Sequence, residues 1–237
     1  MADKVRRSVI LYKNLGRINY KEGLATMKNL TKLHMKSTES KLQAPNTLLI
    51  CEHFPVYTTG IRDKSVKDID YLERLGAEFQ YTDRGGLITF HGPGQLMCYP
   101  ILNLEHFTKN VQCYNKQLEE VGIRTCKKFG VVAKRTADPG VWVDDSKIAA
   151  IGFHVSRWVT SHGLALNCNV DLSWFDHIVP CGLVGKGVTS LSVETWKNIS
   201  VEQATTPFIE SFQEVFNCEI TQVDSHHETE MKNCEKF

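Results

Sequence analysis

One short segment gathers residue types that could form the floor of a catalytic or binding site. Residues 84–95 combine closely spaced glycines and a proline with one cation, Arg84, and one imidazole, His91. Glycine is kept at such density where the backbone must turn sharply or approach another group closely. Apolar strand-like runs at 77–82 and 96–102 flank the segment. We interpret it as a site floor held between strands; the alternative is a pair of tight turns without chemistry.

A cysteine and a lysine further along the chain are candidates for covalent catalysis. Cys181 lies between Pro180 and Gly182, so we expect it on a shaped loop of the kind that holds a nucleophile. A thiol is largely protonated at neutral pH and needs a basic or cationic neighbour. Lys147 precedes an apolar run, so its stem can enter the interior while its amine faces that loop. The structural alternatives are a buried loop cysteine and an exposed hairpin lysine.

Four motifs stand in a fixed order along the chain. The first is Arg-Gly-Gly-x-x-Thr-Phe-His-Gly-Pro-Gly-Gln-x-x-x-Tyr, which begins at Arg84 and ends at Tyr99. The others occupy residues 147–152, 161–167 and 180–183. Together they resemble the signature of the lipoate-protein octanoyltransferases. The resemblance extends over about residues 8–217.

The resemblance implies an acyltransferase. That family moves an octanoyl group from acyl carrier protein to a lysine of a lipoyl domain. Cys181 and Lys147 match its catalytic pair: Cys181 would carry the octanoyl group as a thioester, and Lys147 would serve as base and then as acid. Passing the group from a thioester to an amide is energetically downhill, so we expect no ATP, no other cofactor and no metal.

Three segments match the family's substrate contacts. An eight-carbon chain needs an apolar slot with little side-chain obstruction, and the small residues at 150–152 and 163–165 offer one along two strands. Taken without the family, the first of these runs would indicate simple tight packing. The implied contacts are Arg84, Gly85, Gly86, Leu87, Ile88, Thr89, Phe90, His91, Ala150, Ile151, Gly152, Gly163, Leu164 and Ala165.

The histidines have open roles at this point. His91 has three candidate roles: a donor to a carbonyl, a positioning group for Lys147, or a structural residue. His162 is assigned to structure, and His53 is expected to border the pocket. The family often has serine at the position of Ala150. A substrate contact there would therefore be made by the backbone.

Composition limits the alternatives. The 237 residues fit one large α/β domain, with a core at about 8–217 and a polar tail from about 224. The net charge of +1 gives no reason to expect nucleic acid, and no apolar run approaches the ~20 residues of a membrane span. The eight cysteines form no Cys-x-x-Cys pair, so we expect mostly buried free thiols, Cys168 among them.

The hydrophobic patterns predict a mixed, partly antiparallel sheet flanked by helices. The resemblance adds a smaller second sheet, as in the biotin and lipoate protein ligase fold. Val111 is expected to face inward, Ser200 and Gln203 to form a capping box, and Pro207 to kink or restart the last helix. The predicted helices are 20–36, 68–75, 111–129 and the segment from 200; the predicted strands are 8–12, 47–51, 131–134, 141–143, 148–155 and 162–170, with a loop at 53–60.

Partners and location are also implied by the resemblance. We expect octanoyl-acyl carrier protein as donor, and as acceptors the lipoyl domains of 2-oxoacid dehydrogenase E2 subunits and the glycine cleavage H protein. The unpaired cysteines, the tail histidines and the overall similarity indicate an animal member, hence mitochondria. Arg6 and Arg7 fit a weak mitochondrial signal or a charged lead-in to the first strand.

Three other functions remain open. The first is an ATP-dependent lipoate or biotin protein ligase, which shares the fold and needs no cysteine. The second is a silent scaffold that binds lipoyl domains. A cysteine hydrolase is the third, although no Cys–His–Asn order is evident.

Overall fold

The described part of the chain folds into two β-sheets and five α-helices. The computed structural model describes residues 7–37, 44–62, 66, 68–183 and 185–223. The strands are β1 Ser8–Ile18, β2 Thr47–His53, β3 Val56–Thr59, β4 Glu78–Tyr81, β5 Thr89–His91, β6 Gln95–Ile101, β7 Val141–Val143, β8 Ser146–Ser156, β9 Val159–Asn167, β10 Gly187–Val188 and β11 Cys218–Gln222. The helices are α1 Tyr20–Ser37, α2 Ile69–Arg74, α3 Val111–Lys128, α4 Leu191–Thr195 and α5 Val201–Phe216.

The larger sheet is mixed, as the sequence predicted. Its order is β10–β8–β9–β6–β2–β1–β11, and β7 pairs with β8. Along the central strands β2, β6, β9 and β8, each strand is antiparallel to its neighbour, whereas β1 is parallel to both β2 and β11. Strand β2 is buried on both faces, which explains its continuous apolar sequence.

Helices cover the two faces of this sheet. On one face α5 inserts Phe208, Phe212 and Phe216 into the core that it shares with α3. Its capping box joins Ser200 and Gln203 as predicted. On the other face α1 packs its apolar stripe against β2, β6 and β9. None of the described helices combines the length and apolar character that a bilayer crossing requires.

The smaller sheet has the order β4–β3–β5 and carries the glycine-rich segment. Tyr57 and Phe90 are buried beneath it, with Phe175 from a later turn. Strand β5 then leads through a short turn into β6 of the larger sheet. The two sheets are therefore joined directly in the chain. The loop between β4 and β5 lies against the large sheet, where Gly85 contacts β8.

Several predictions of local structure were wrong. Residues 53–60 are not all loop, because the alternating Val56–Thr59 segment is the central strand of the small sheet. Residues 131–134 make only an isolated bridge, Lys134 to Trp142. Val111 is exposed, since it opens α3 at the surface. Helix α5 does not restart at Pro207: it is one helix from Val201 to Phe216, because burial of its aromatic face outweighs one missing hydrogen bond. The predicted tail from 224 lies outside the described residues.

Candidate active site

A single pocket brings together most of the predicted site residues. It lies on the α1 face of the large sheet and holds about 440 Å³ of atom-free space, including its open mouth. Eleven of the sixteen predicted residues line it: Arg84, Gly86, Thr89, His91, Ala150, Ile151, Gly152, Gly163, Leu164, Ala165 and Cys181. Gly85, Leu87, Ile88, Phe90 and Lys147 are not in its wall. Phe90 is instead buried in the apolar cluster of the small sheet.

Small residues on adjacent strands form the floor of the pocket. In the sheet register Ala150 lies opposite Ala165, and Gly152 lies opposite Gly163. On the next strand, β6, the longer side chain of Met97 lies opposite Ala165. Gly163 has no space for a side chain, because an added Cβ would lie 2.3 Å from a backbone oxygen of β6. The floor therefore extends across β8 and β9, and Met97 and Tyr99 of β6 also line the pocket.

The glycine-rich loop is fixed by backbone contacts that exclude larger residues. Gly85 N–H donates to the carbonyl of Phe153 on β8 at 3.0 Å, which docks the loop onto the large sheet. Gly60 packs so closely on the loop that an added Cβ would lie 2.5 Å from the Gly86 oxygen. The sequence signal of clustered glycines therefore marks a close backbone approach, as expected.

The Arg84 side chain stabilises the glycine-rich loop through hydrogen bonds. Its guanidinium donates to the Thr58 carbonyl and hydroxyl of β3, and to the carbonyls of Gly85 and Leu87, at 2.8–3.0 Å. One guanidinium thus links the small sheet to the loop. Its side chain also packs against Gly152, where a Cβ would lie 3.2 Å from the Arg84 Cδ.

The charge of Arg84 is buried without a carboxylate. The residue is 7% exposed, its Nε has no hydrogen-bond partner, and it makes no ion pair among the described residues. Burial lowers the pKa of Arg84, while the ionisable Tyr20 and Cys181 nearby oppose that shift. An unpaired buried cation favours any negative charge that forms in the pocket.

Cys181 occupies a tight turn rather than a regular element. Its φ of 56° is in the left-handed region, which is uncommon for a residue with a side chain. Its N–H donates to the carbonyl of Ile88 at 2.9 Å, and Gly182 packs against Leu87. The thiol is free and half-exposed in the pocket. Cys168, in contrast, is a buried core cysteine as predicted.

Lys147 is not the exposed hairpin lysine of the structural alternative. It is 7% exposed, and its ammonium lies 4.9 Å from the ring centroid of Trp142. Gly140 makes room for its stem, since a Cβ there would lie 3.3 Å from the lysine Cε. No carboxylate lies within ion-pair distance of it in the described part of the chain. Val188 of β10 pairs with it, and six residues separate Val188 from Cys181.

Four further residues complete the pocket wall. Tyr20 at the start of α1, Met97 and Tyr99 on β6, and His162 on β9 were not predicted as site residues. His162 had been assigned to structure; it lines the pocket and hydrogen-bonds Asp83 through Nε2 at 2.8 Å. Tyr99 and His162 had a sequence signal, because Tyr99 ends the first motif and His162 lies within the motif at 161–167. The others enter the wall through helix and strand packing.

His53 lies behind the pocket wall. It was expected to border the pocket, but its ring is fully buried and absent from the wall. Its Nε2 is 2.7 Å from the Tyr99 hydroxyl, and its Nδ1 is 3.1 Å from the Ile18 carbonyl. His53 therefore fixes the Tyr99 side chain that faces the pocket.

The chain is similar to known proteins over nearly its whole length. Residues 19–213 match the family model of the lipoyl protein ligase A/B catalytic domain. The chain is 51% identical to a mitochondrial octanoyl-acyl-carrier-protein:protein N-octanoyltransferase of Danio rerio, over 92% of this chain and 96% of the relative. The Homo sapiens protein of the same description is 43% identical, over 93% and 99%.

A solved structure resembles the fold at low sequence identity. It is lipoate-protein ligase A bound with ATP, with a TM-score of 0.70 and 13% identity, and the match covers 97% of this chain and 94% of that one. At this identity the likeness supports the architecture alone. It confirms the predicted ligase-type fold of a mixed sheet with a smaller second sheet.

The buried histidines predict acid sensitivity. Burial lowers the pKa of His53 to about 4 and that of His34 to about 4, so the unfolded chain takes up these protons first as the pH falls below about 6.5. Stability from these groups is complete above that pH and is lost between about 6.5 and about 4. Each contributes a slope of about 1.4 kcal/mol per pH unit to the free energy of unfolding.

Urea denaturation at a series of pH values measures this slope. We expect His53→Gln to flatten it below pH ~6.5. Replacement of the exposed His177 by glutamine is the matched control and should leave it unchanged. Equal slopes for His53→Gln and the original protein would contradict the assignment.

Proposed function

This chain belongs to the lipoyl protein ligase A/B catalytic-domain family, and from that membership we propose that it transfers octanoyl groups through a Cys181 acyl-enzyme. It is an acyltransferase of protein lipoylation, as its relatives at 51% and 43% identity are. Like them, it acts in mitochondria. The observation that carries the mechanism is the position of Cys181, whose free thiol shares one pocket with the small-residue floor.

The first half-reaction forms the acyl-enzyme. Lys147 as the neutral amine takes the proton of the Cys181 thiol, and the thiolate attacks the carbonyl carbon of the octanoyl thioester. The carbon–sulfur bond to the carrier's phosphopantetheine then breaks, and Lys147 returns the proton to the departing thiolate. One thioester replaces another, so the step is nearly balanced in energy.

The second half-reaction forms the amide. A lysine amine of the acceptor domain attacks the Cys181 thioester, and the carbon–sulfur bond breaks as the carbon–nitrogen bond forms. Lys147 receives the proton that leaves the nitrogen and passes it to the Cys181 thiolate. Amide formation from a thioester is downhill, so neither half-reaction needs nucleotide.

Arg84 supports both steps electrostatically. A thiolate and a tetrahedral oxyanion each place negative charge in the pocket, and Arg84 is the buried cation that lacks a carboxylate there. Because the guanidinium is already held by four hydrogen bonds, its charge is in place before the reaction begins.

The floor accommodates the octanoyl chain. Cys181 precedes β10, which pairs with β8, so the thioester starts at the β8 side of the slot. Crossing from β8 over β9 to β6 spans about 9–10 Å, at roughly 4.8 Å per strand. An extended eight-carbon chain is about 9 Å long, because each bond of ~1.5 Å advances it by somewhat more than 1 Å. The chain therefore ends against Met97.

The donor and acceptor proteins follow from the activity. Octanoyl-acyl carrier protein is the donor, in keeping with the names of the relatives, and a protein domain is lipoylated. The acceptors we propose are the lipoyl domains of 2-oxoacid dehydrogenase E2 subunits and the glycine cleavage H protein.

The ligase alternative is less supported. The ligase likeness is at 13% identity, whereas the named octanoyltransferases are 51% and 43% identical over nearly the whole chain. An adenylate-forming ligase also needs no thiol at position 181.

Intact-mass spectrometry tests the acyl-enzyme. Incubation with octanoyl-carrier protein, without nucleotide, should add one octanoyl mass to the protein and none to Cys181→Ser. Cys113→Ser, at an exposed cysteine on α3, is the matched control and should acquire the full adduct. An adduct that maps to Cys168 or Cys98 would contradict the role of Cys181, and a requirement for ATP would favour the ligase.

Lys147 variants test proton transfer. We expect Lys147→Ala to lower octanoyl transfer on the order of 10²–10⁴-fold, because the general acid–base is lost. Lys147→Arg should fail almost as badly, since arginine keeps the charge but releases no proton near neutral pH. The exposed Lys186, paired with Asp145, is the control; its alanine variant should change the rate within ~0.5 kcal/mol. Full transfer by Lys147→Arg would show that charge alone is needed.

A further inference from the structure

A buried chain of three hydrogen bonds runs from β10 to the pocket. The Asn167 Nδ2–H donates to the carbonyl of Thr189 at 2.8 Å, and the Gln95 Nε2–H donates to Asn167 Oδ1 at 2.8 Å. The third bond joins His91 Nδ1 and Gln95 Oε1 at 2.7 Å. All four residues are at most 5% exposed, so water does not replace these partners.

The donors and acceptors in this series of hydrogen bonds can be assigned in only one way. A backbone carbonyl accepts and never donates, so Asn167 must turn its NH₂ toward Thr189 and its oxygen toward Gln95. Gln95 must then use its NH₂ on Asn167, which leaves its oxygen facing His91. An oxygen needs a donor, and His91 therefore carries its proton on Nδ1. The carbonyl at one end thus sets the tautomer at the other.

The second nitrogen of His91 is consequently an acceptor. Nε2 has no hydrogen-bond partner among the described residues, and the ring lines the pocket while lying parallel to Tyr20 at 6.1 Å. The charged and titratable groups that face it are Arg84, His53, His162 and Tyr20. Burial and then the Arg84 charge lower the pKa of His91 to about 3, so the ring stays neutral at working pH.

We propose that His91 Nε2 accepts a hydrogen bond from the attacking lysine amine of the acceptor domain and so orients that amine toward the Cys181 thioester. The proposal rests on the proposed function and concerns its second half-reaction. The lone pair on His91 Nε2 repels the carbonyl oxygen of the thioester and the oxyanion formed from it. His91 therefore does not act there as the hydrogen-bond donor that the sequence analysis considered. Among the reacting groups, the amine carries N–H donors, whereas the thioester carbonyl and the oxyanion only accept and a thiol donates weakly.

The proton balance is simple. The amine attacks with its nitrogen lone pair while one of its N–H groups is held by His91. The proton lost from nitrogen goes to Lys147, and His91 keeps its single proton on Nδ1 throughout. Thr189 connects Lys147 to His91. Its N–H donates to the Lys147 carbonyl at 3.0 Å, and its own carbonyl accepts the first hydrogen bond of the series that ends at His91. Gln95 and Asn167 are positioning residues.

Single-turnover kinetics of the two half-reactions test the assignment. His91→Phe keeps an aromatic ring against Tyr20 but removes the acceptor. We expect it to slow transfer from preformed octanoyl-enzyme to a lipoyl domain on the order of 10²-fold, and at least tenfold more than it slows acyl-enzyme formation. Equal slowing of both steps, or an unchanged second step, would overturn the proposal.

The tautomer itself has a readout that needs no catalysis. Nitrogen-15 NMR of the whole protein should show His91 with a protonated Nδ1 and an unprotonated Nε2 that does not titrate between pH 5 and 8. A protonated Nε2 would overturn the proposal.

Gln95→Glu supplies the complementary variant. A carboxylate beside Nδ1 favours the imidazolium, which has no lone pair to offer. We expect the NMR signals of a doubly protonated ring and a selective loss of the second half-reaction. Gln112→Glu, on the exposed start of α3, is the matched control and should change neither. Absence of any octanoyl adduct on the original protein would instead overturn the proposed function, and this proposal with it.

Discussion

The site depends on one buried guanidinium. Arg84 satisfies the Thr58 backbone and hydroxyl of the small sheet and two carbonyls of its own loop. These bonds hold the glycine-rich loop against β8, where Gly85 completes the contact. Cys181 is attached in turn to that loop through Ile88. Arg84 thus both fixes the loop that holds Cys181, the proposed nucleophile, and supplies a buried charge without a carboxylate partner. The loop geometry and the electrostatics of the pocket therefore depend on the same residue.

The pocket floor is built from small residues on two strands of the large sheet. The residues of β8 and β9 are small where they face α1, while the opposite face of the same strands packs into the main apolar core. Two cross-strand pairs, Ala150–Ala165 and Gly152–Gly163, leave space above the sheet, and Met97 lines the same pocket from β6. The packing of α5 and α3 on the far face keeps the strands in place despite the missing side chains.

The parts of the site that depend on neighbouring residues could be predicted from the sequence, whereas those that depend on packing between distant segments could not. Clustered glycines and the Pro-Cys-Gly turn are local signals, so the loop and Cys181 were both found. The sequence left two positions for Lys147, interior or exposed; Trp142 and Gly140, which lie across a hairpin from it, enclose it in the interior. Met97 lies in an ordinary apolar strand, and only the register with Ala165 turns it into the end of a slot.

The strand Val56–Thr59 and the hydrogen bonding of His91 also depend on packing between distant segments. The Val56–Thr59 segment is short and follows a proline, so its strand exists only because β4 and β5 flank it. The direction of hydrogen bonds at His91 depends on residues 95, 167 and 189, which no sequence spacing connects. The resemblance placed His91, Gln95 and Asn167 within motifs, and the structure shows the hydrogen bonds that connect them.

The central claim is that an acyl chain on Cys181 lies across the small-residue floor and ends at β6. The most direct measurement uses an eight-carbon acyl thioester with a terminal diazirine, transferred to Cys181 and then photolysed. Peptide mapping should place the crosslinks at Met97, Ala165 and their immediate neighbours in the pocket. Crosslinks on α5, or elsewhere outside the pocket wall, would contradict the account.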